Sequence, residues 1–129
     1  MQKPCPFCTL ANERIILEHD LAVVVRDPHP VSPGHSLVLP RRHVGTLREL
    51  TLDERTVLQD LIVQAQAGLD AELHPDAYNV GLNDGRAAGQ SIPHLHWHVI
   101  PRFVGDKADA RGGVRWILPE KAQYWKDSA

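Results

Sequence analysis

Apolar, β-branched residues run almost unbroken over residues 14–17 and 21–26, predicting two short strands joined by a hairpin at Glu18-His19-Asp20. Residues 27–34 then carry three prolines and a glycine, which excludes regular structure and predicts a loop. A third strand is predicted over residues 35–40, ended by Pro40. From Thr51 the period changes. Val57, Leu58, Leu61, Ile62, Ala65, Leu69 and Leu73 recur at helical spacing, and Thr51 with Glu54 forms a capping-box signature. One long amphipathic helix is therefore expected, closed by Pro75. Residues 77–82 read as a strand and residues 83–91 as a glycine-punctuated loop. Antiparallel strands around one dominant helix indicate an α+β fold.

The next segment breaks the ordinary pattern. His94, His96 and His98 alternate with Leu95, Trp97 and Val99, so a strand would project all three imidazoles from one face. Strand propensity gives no reason for such a row. It offers either a nucleophilic imidazole flanked by hydrogen-bonding neighbours or a set of metal ligands. The preceding loop favours the first reading: Gly85, Ala88 and Gly89 let the backbone approach an anion, and Gln90 and Ser91 add short polar groups.

At 129 residues and 43% hydrophobic, the chain suits a single domain over residues 1–129, with a core over about 5–102 and a tail, 103–129, docked through Trp116 and Trp125. The formal net charge of −2 gives no general attraction to nucleic acid, and no apolar run could span a membrane. The N-terminus has no apolar segment of the signal-peptide kind, so a cytoplasmic location is expected. The only cysteines form Cys5-Pro6-Phe7-Cys8, a spacing that suits two zinc thiolates, a redox dithiol, or two unligated thiols.

Taken together, Asn83, Gly89-Gln90-Ser91 and the run His94 to Arg102 resemble the signature of the histidine triad (HIT) superfamily. Asp27, Pro33-Gly34-His35 and Leu39-Pro40-Arg41-Arg42-His43 resemble that family's first half in order and separation. The resemblance implies a HIT-like fold: an antiparallel sheet with one long amphipathic helix and a short N-terminal helix, pairing as a symmetric homodimer. It implies hydrolysis or nucleotidyl transfer at the α-phosphate of a purine nucleotide phosphoramidate or dinucleoside polyphosphate, through a covalent nucleotidyl-histidine. His96 would be the nucleophile, with His98, Ser91 and Gln90 also catalytic. Asp27, His35, Asn83, Gly89, Gln90, Ser91 and His98 would bind the nucleotide, and the chemical step would need no metal. Some bacterial relatives bind a structural zinc, for which the matching positions are Cys5, Cys8, His43 and His94. The rival functional readings are a non-catalytic nucleotide-binding regulatory module and a metallohydrolase using the histidine row. Arg102, Arg111 and Arg115 would either contact polyphosphate or form a solvated face.

Overall fold

A computed structural model describes residues 5–126 of the chain. Five strands, β1 (Ile15–Glu18), β2 (Ala22–Arg26), β3 (Ser36–Pro40), β4 (Ala77–Leu82) and β5 (Trp97–Arg102), form one antiparallel sheet in the order β1-β2-β3-β5-β4. The long helix α1 (Leu52–Leu73) covers one face, and a short helix α2 (Pro119–Ala122) lies in the tail.

Strands β2 and β3 are apolar at almost every position because both sheet faces are covered. Ala22, Val24 and Val38 pack with Leu58, Leu61, Ile62, Ala65 and Leu69 of α1. On the opposite face Val23, Val25, Leu37 and Leu39 pack around Phe7. That second face carries the histidines.

Helix α1 starts as its sequence dictates: the Glu54 amide donates to Thr51 Oγ1 at 3.1 Å, and the Thr51 amide donates to Glu54 Oε1 at 2.9 Å. Arg42 donates to the same buried carboxylate at 2.8 Å, tying the loop after β3 to the helix. The helix ends at His74, in left-handed conformation (φ 53°), immediately before Pro75.

Two elements differ from the sequence pattern. The short N-terminal helix is a single 3-10 turn, Asn12–Arg14, preceded by a turn in which the Cys8 amide donates to the Cys5 carbonyl. The histidine strand begins at Trp97 rather than His94. Upstream, the His94 ring donates to the Pro40 carbonyl and the Leu95 amide to the Val44 carbonyl, holding these residues outside the strand ladder. The alternation nevertheless survives. Leu95, Trp97 and Val99 join the α1 core, while the His94 and His96 rings meet Phe7 on the other face.

The tail is a folded structure. A 3-10 turn at Gly113–Ile117 sets Gly113 against Asn79 of β4, and Trp116 Nε1–H donates to the Arg111 carbonyl at 2.9 Å. Arg111 stacks on Trp125, and Arg115 donates to the carbonyls of Lys121 and Ala122. Among the described residues, no helix is long and apolar enough to cross a membrane.

Candidate active site and metal centre

Four metal-ligand side chains converge where the N-terminus meets the end of β3. Cys5 Sγ lies 3.4 Å and Cys8 Sγ 3.6 Å from His94 Nδ1, and Cys8 Sγ lies 3.2 Å from His43 Nδ1. All four ligand atoms fall within 4.8 Å of one another. Around a tetrahedral ion with Zn–S of about 2.3 Å and Zn–N of about 2.0 Å, a sulfur and a nitrogen stand roughly 3.6 Å apart. The donor set fits. Protonation agrees: His94 Nε2 faces the Pro40 carbonyl at 2.7 Å, which only accepts, so the proton sits on Nε2 and the Nδ1 lone pair faces the sulfurs. Burial also holds His94 below the ordinary histidine pKa, keeping it neutral.

His96 lies beside this cluster. Its Nδ1 stands 2.9 Å from the His94 carbonyl and must carry the proton, which leaves a lone pair on Nε2. The imidazole is wedged between Phe7 (centroids 5.1 Å apart) and His98 (5.2 Å).

A second chain of tautomers runs behind His98. The Val31 amide donates to His35 Nδ1 at 3.2 Å, so the His35 proton is on Nε2. That Nε2–H lies 2.9 Å from His98 Nδ1 and 3.4 Å from Asp27 Oδ2. His98 therefore accepts at Nδ1 and presents an N–H at Nε2. Burial lowers the pKa of both rings. For His98 the neighbouring His96 and His35 add to the lowering, while Asp27 opposes it for both. The other Asp27 oxygen accepts from the His29 amide at 2.8 Å, bracing the loop before β3.

In the loop between β4 and β5 the amides point inward. Those of Ala88 and Gln90 donate to the Gly85 carbonyl and that of Gly89 to the Arg86 carbonyl, because residues 86–88 wind into a 3-10 turn. Gln90 is likewise engaged: its amide oxygen accepts from the Gly85 N–H and its nitrogen donates to the carbonyls of Gly45 and Ile92. Gly89 and Gln90 therefore stand in a loop held by its own hydrogen bonds. Ser91 is exposed, and the Asn83 amide approaches Gly89.

Beyond His98, away from His96, a cleft of about 1160 Å³ runs along β4 and β5. Its lining includes Asn83, Gly89, His98 and Ile100, with Phe103 and Ile117 from the tail. The three arginines have internal partners: Arg102, at the end of β5, with Asp106 and Asn79, and in the tail Arg111 with Asp109 and Arg115 with carbonyls. Sequence inspection passed over Phe7, whose signal was a lone aromatic bracketed by two ligand-type cysteines. The carbonyls of Pro40 and His94 leave no trace in side-chain identity.

A five-stranded antiparallel sheet with alternating histidines beside a glycine-bounded loop defines a compact class of α+β proteins. The HIT domain model matches residues 9–105, and the chain belongs to the HIT family. It is 33% identical over 108 residues to a HIT-like protein of Methanocaldococcus jannaschii, covering 79% of this chain and 81% of that one. It is 34% identical over 131 aligned positions to the bis(5'-adenosyl)-triphosphatase of Saccharomyces cerevisiae, covering 97% of this chain but 59% of that one. A zinc-bound histidine triad family protein of Mycobacterium smegmatis superposes with a TM-score of 0.73 at 30% identity, covering 81% of this chain and 79% of that structure.

Proposed function

We propose that the protein is a nucleotide hydrolase or nucleotidyl transferase that cleaves at the α-phosphate of a purine nucleotide through a covalent His96 intermediate. The observation that carries this reading is the pair of fixed tautomers: His96 offers a lone pair at Nε2 while His98, 5.2 Å away, offers an N–H. A nucleophile and a hydrogen-bond donor stand side by side, each oriented by a partner behind it.

In the reaction, His96 Nε2 attacks the α-phosphorus and the bond to the leaving group breaks. His98 Nε2–H donates to a phosphoryl oxygen as negative charge accumulates, and the Ser91 hydroxyl donates toward the departing atom. Water then attacks the nucleotidyl-His96, releasing the nucleotide and restoring the imidazole. Asp27 holds the ribose hydroxyls and Asn83 the phosphate side. His35 fixes His98, while Gly89 supplies clearance and Gln90 keeps the loop open. No step uses a metal.

Dinucleoside polyphosphates suit the site better than phosphoramidates. The cleft beyond His98 slightly exceeds the roughly 300–1,000 Å³ of ordinary ligand pockets, giving a second nucleotide room to leave past Lys107 on its wall. The triphosphatase name of the yeast relative supports the same substrate class. Cys5, Cys8, His43 and His94 hold a structural zinc, which clamps the N-terminus to the sheet. Zinc ligation needs both cysteines reduced, consistent with the cytoplasm. A second copy pairs along the open edge of β4 to make a homodimer.

The test is chromatographic product analysis with diadenosine tetraphosphate and adenosine phosphoramidate. AMP release from either that disappears in His96→Ala supports the reading, with faster release expected from the tetraphosphate. Binding of AMP with no turnover of either substrate would replace the enzyme by a regulatory binding module.

A further inference from the structure

The structure joins the two sites through one side chain. Phe7 lies inside the Cys5–Cys8 turn and is 7% exposed. Its ring meets the His94 ring edge-on (5.8 Å, 85°) and the His96 ring at 5.1 Å and 66°. His96 is thus held from two directions, by Phe7 and by the His94 carbonyl. Both belong to the metal-ligand cluster: Phe7 is bracketed by two of its ligands, and His94 is a third.

We infer that Phe7 is a positioning residue for His96, and that occupancy of the Cys5–Cys8–His43–His94 site sets the orientation of the nucleophile through it. The inference rests on the role proposed for His96. With the four ligands drawn together, the turn is rigid and Phe7 has one place to stand. With them released, Phe7 is tethered by the apolar cluster that includes Val23, Val25, Leu37, Leu39, Leu10, Ile15 and Ile92, and the His96 ring gains room to rotate. Loss of metal would then slow the chemistry at His96, although neither cysteine is among the ring's contacts. An aromatic edge contact of this kind corresponds to about a three- to tenfold effect.

The variants are Phe7→Leu, which keeps apolar volume but loses the ring edge, and Phe7→Met should Phe7→Leu misfold by circular dichroism. Each is read at fixed pH by kcat and KM, zinc content per chain, and ¹⁵N spectra of the His96 ring. Expected for the variant are a full zinc complement, kcat reduced about three- to tenfold, KM little changed, and a His96 ring that averages between tautomers. Wild type stripped of metal should show the same ring averaging, and stripping the variant should cost less than the sum of the two separate losses, because both act in part through the Phe7 contact. An unaltered His96 spectrum in both the variant and the stripped wild type would overturn the inference, as would strictly additive losses of kcat. Absence of turnover in zinc-loaded wild type would instead defeat the proposed function, and the ¹⁵N spectra would still decide the role of Phe7.

Discussion

Gly34 closes the loop that delivers His35 to the back of His98, and its replacement by alanine is a severe test of how that loop is packed. Its φ of +84° lies where a Cβ is strained, which costs about 1–2 kcal/mol. A Cβ built there would stand 2.7 Å from Leu69 Cδ2, 2.7 Å from Leu73 Cδ1 and 3.3 Å from Pro101 Cγ. Leu73 is half-buried and can turn aside. Leu69 is 1% exposed and has nowhere to move. Overpacking of this kind costs about 1–3 kcal/mol, so Gly34→Ala should lose about 2–5 kcal/mol in all. In a domain of this size that lowers Tm by on the order of 10 °C. Gly105→Ala is the matched control: its φ is +90°, but a Cβ there meets nothing within 4 Å. It should lose only the conformational part, about 1–2 kcal/mol. Urea unfolding of both variants at pH 7.5 separates strain from packing. Equal losses in the two would refute the packing argument.

Three further outcomes follow from the same geometry. Thr51→Ala removes one half of the capping box and should lower stability by about 1 kcal/mol, read as a shift in urea midpoint at unchanged m-value; an unchanged midpoint would mean the cap does not limit the helix. Burial holds His35 and His98 below the ordinary histidine value, so the unfolded chain binds more protons in the window between their native pKa values and about 6.5. Stability should therefore fall as pH drops below about 6.5 and be flat above it with respect to these groups. The fall should be shallower in His35→Gln, and identical slopes in the two proteins would contradict the assignment. Finally, a chelator should lower Tm by mass action, since a ligand held at a thousand times its Kd contributes about 4 kcal/mol. The far-ultraviolet spectrum should be retained, because the β2–β3–α1 core does not include the cluster; loss of the whole fold would show that the metal organises more than the N-terminus.

What could be read from the sequence followed where local chemistry decides structure. The ends of α1 were visible because Thr51, Glu54 and Pro75 act within a few residues of where they stand. The donor set of the metal cluster followed from a resemblance, and the fold brings those four residues together. The histidine row was less transparent. Its alternation survives, but the ladder starts only at Trp97, because the Pro40 and Val44 carbonyls, distant in sequence, draw His94 and Leu95 aside. Backbone partners of this kind have no residue-type signature. The same reason explains the loop between β4 and β5: glycines that suggested amides open to an anion wind into a 3-10 turn whose amides bond inward. The Gln90 side chain, which the resemblance puts toward phosphate, bonds the Gly85 amide and the Gly45 carbonyl. The tail arginines were ambiguous for a different cause, since an arginine's partner depends on which carboxylate or carbonyl the fold brings near.

The central claim is a covalent bond between His96 and the nucleotide, and rapid acid-free quenching with adenine-labelled diadenosine tetraphosphate tests it directly. The account predicts a burst of labelled protein before steady-state release of AMP, with the label on the peptide containing His96 and lost on mild acid treatment. Turnover without labelled protein, or with the label on another residue, would contradict it.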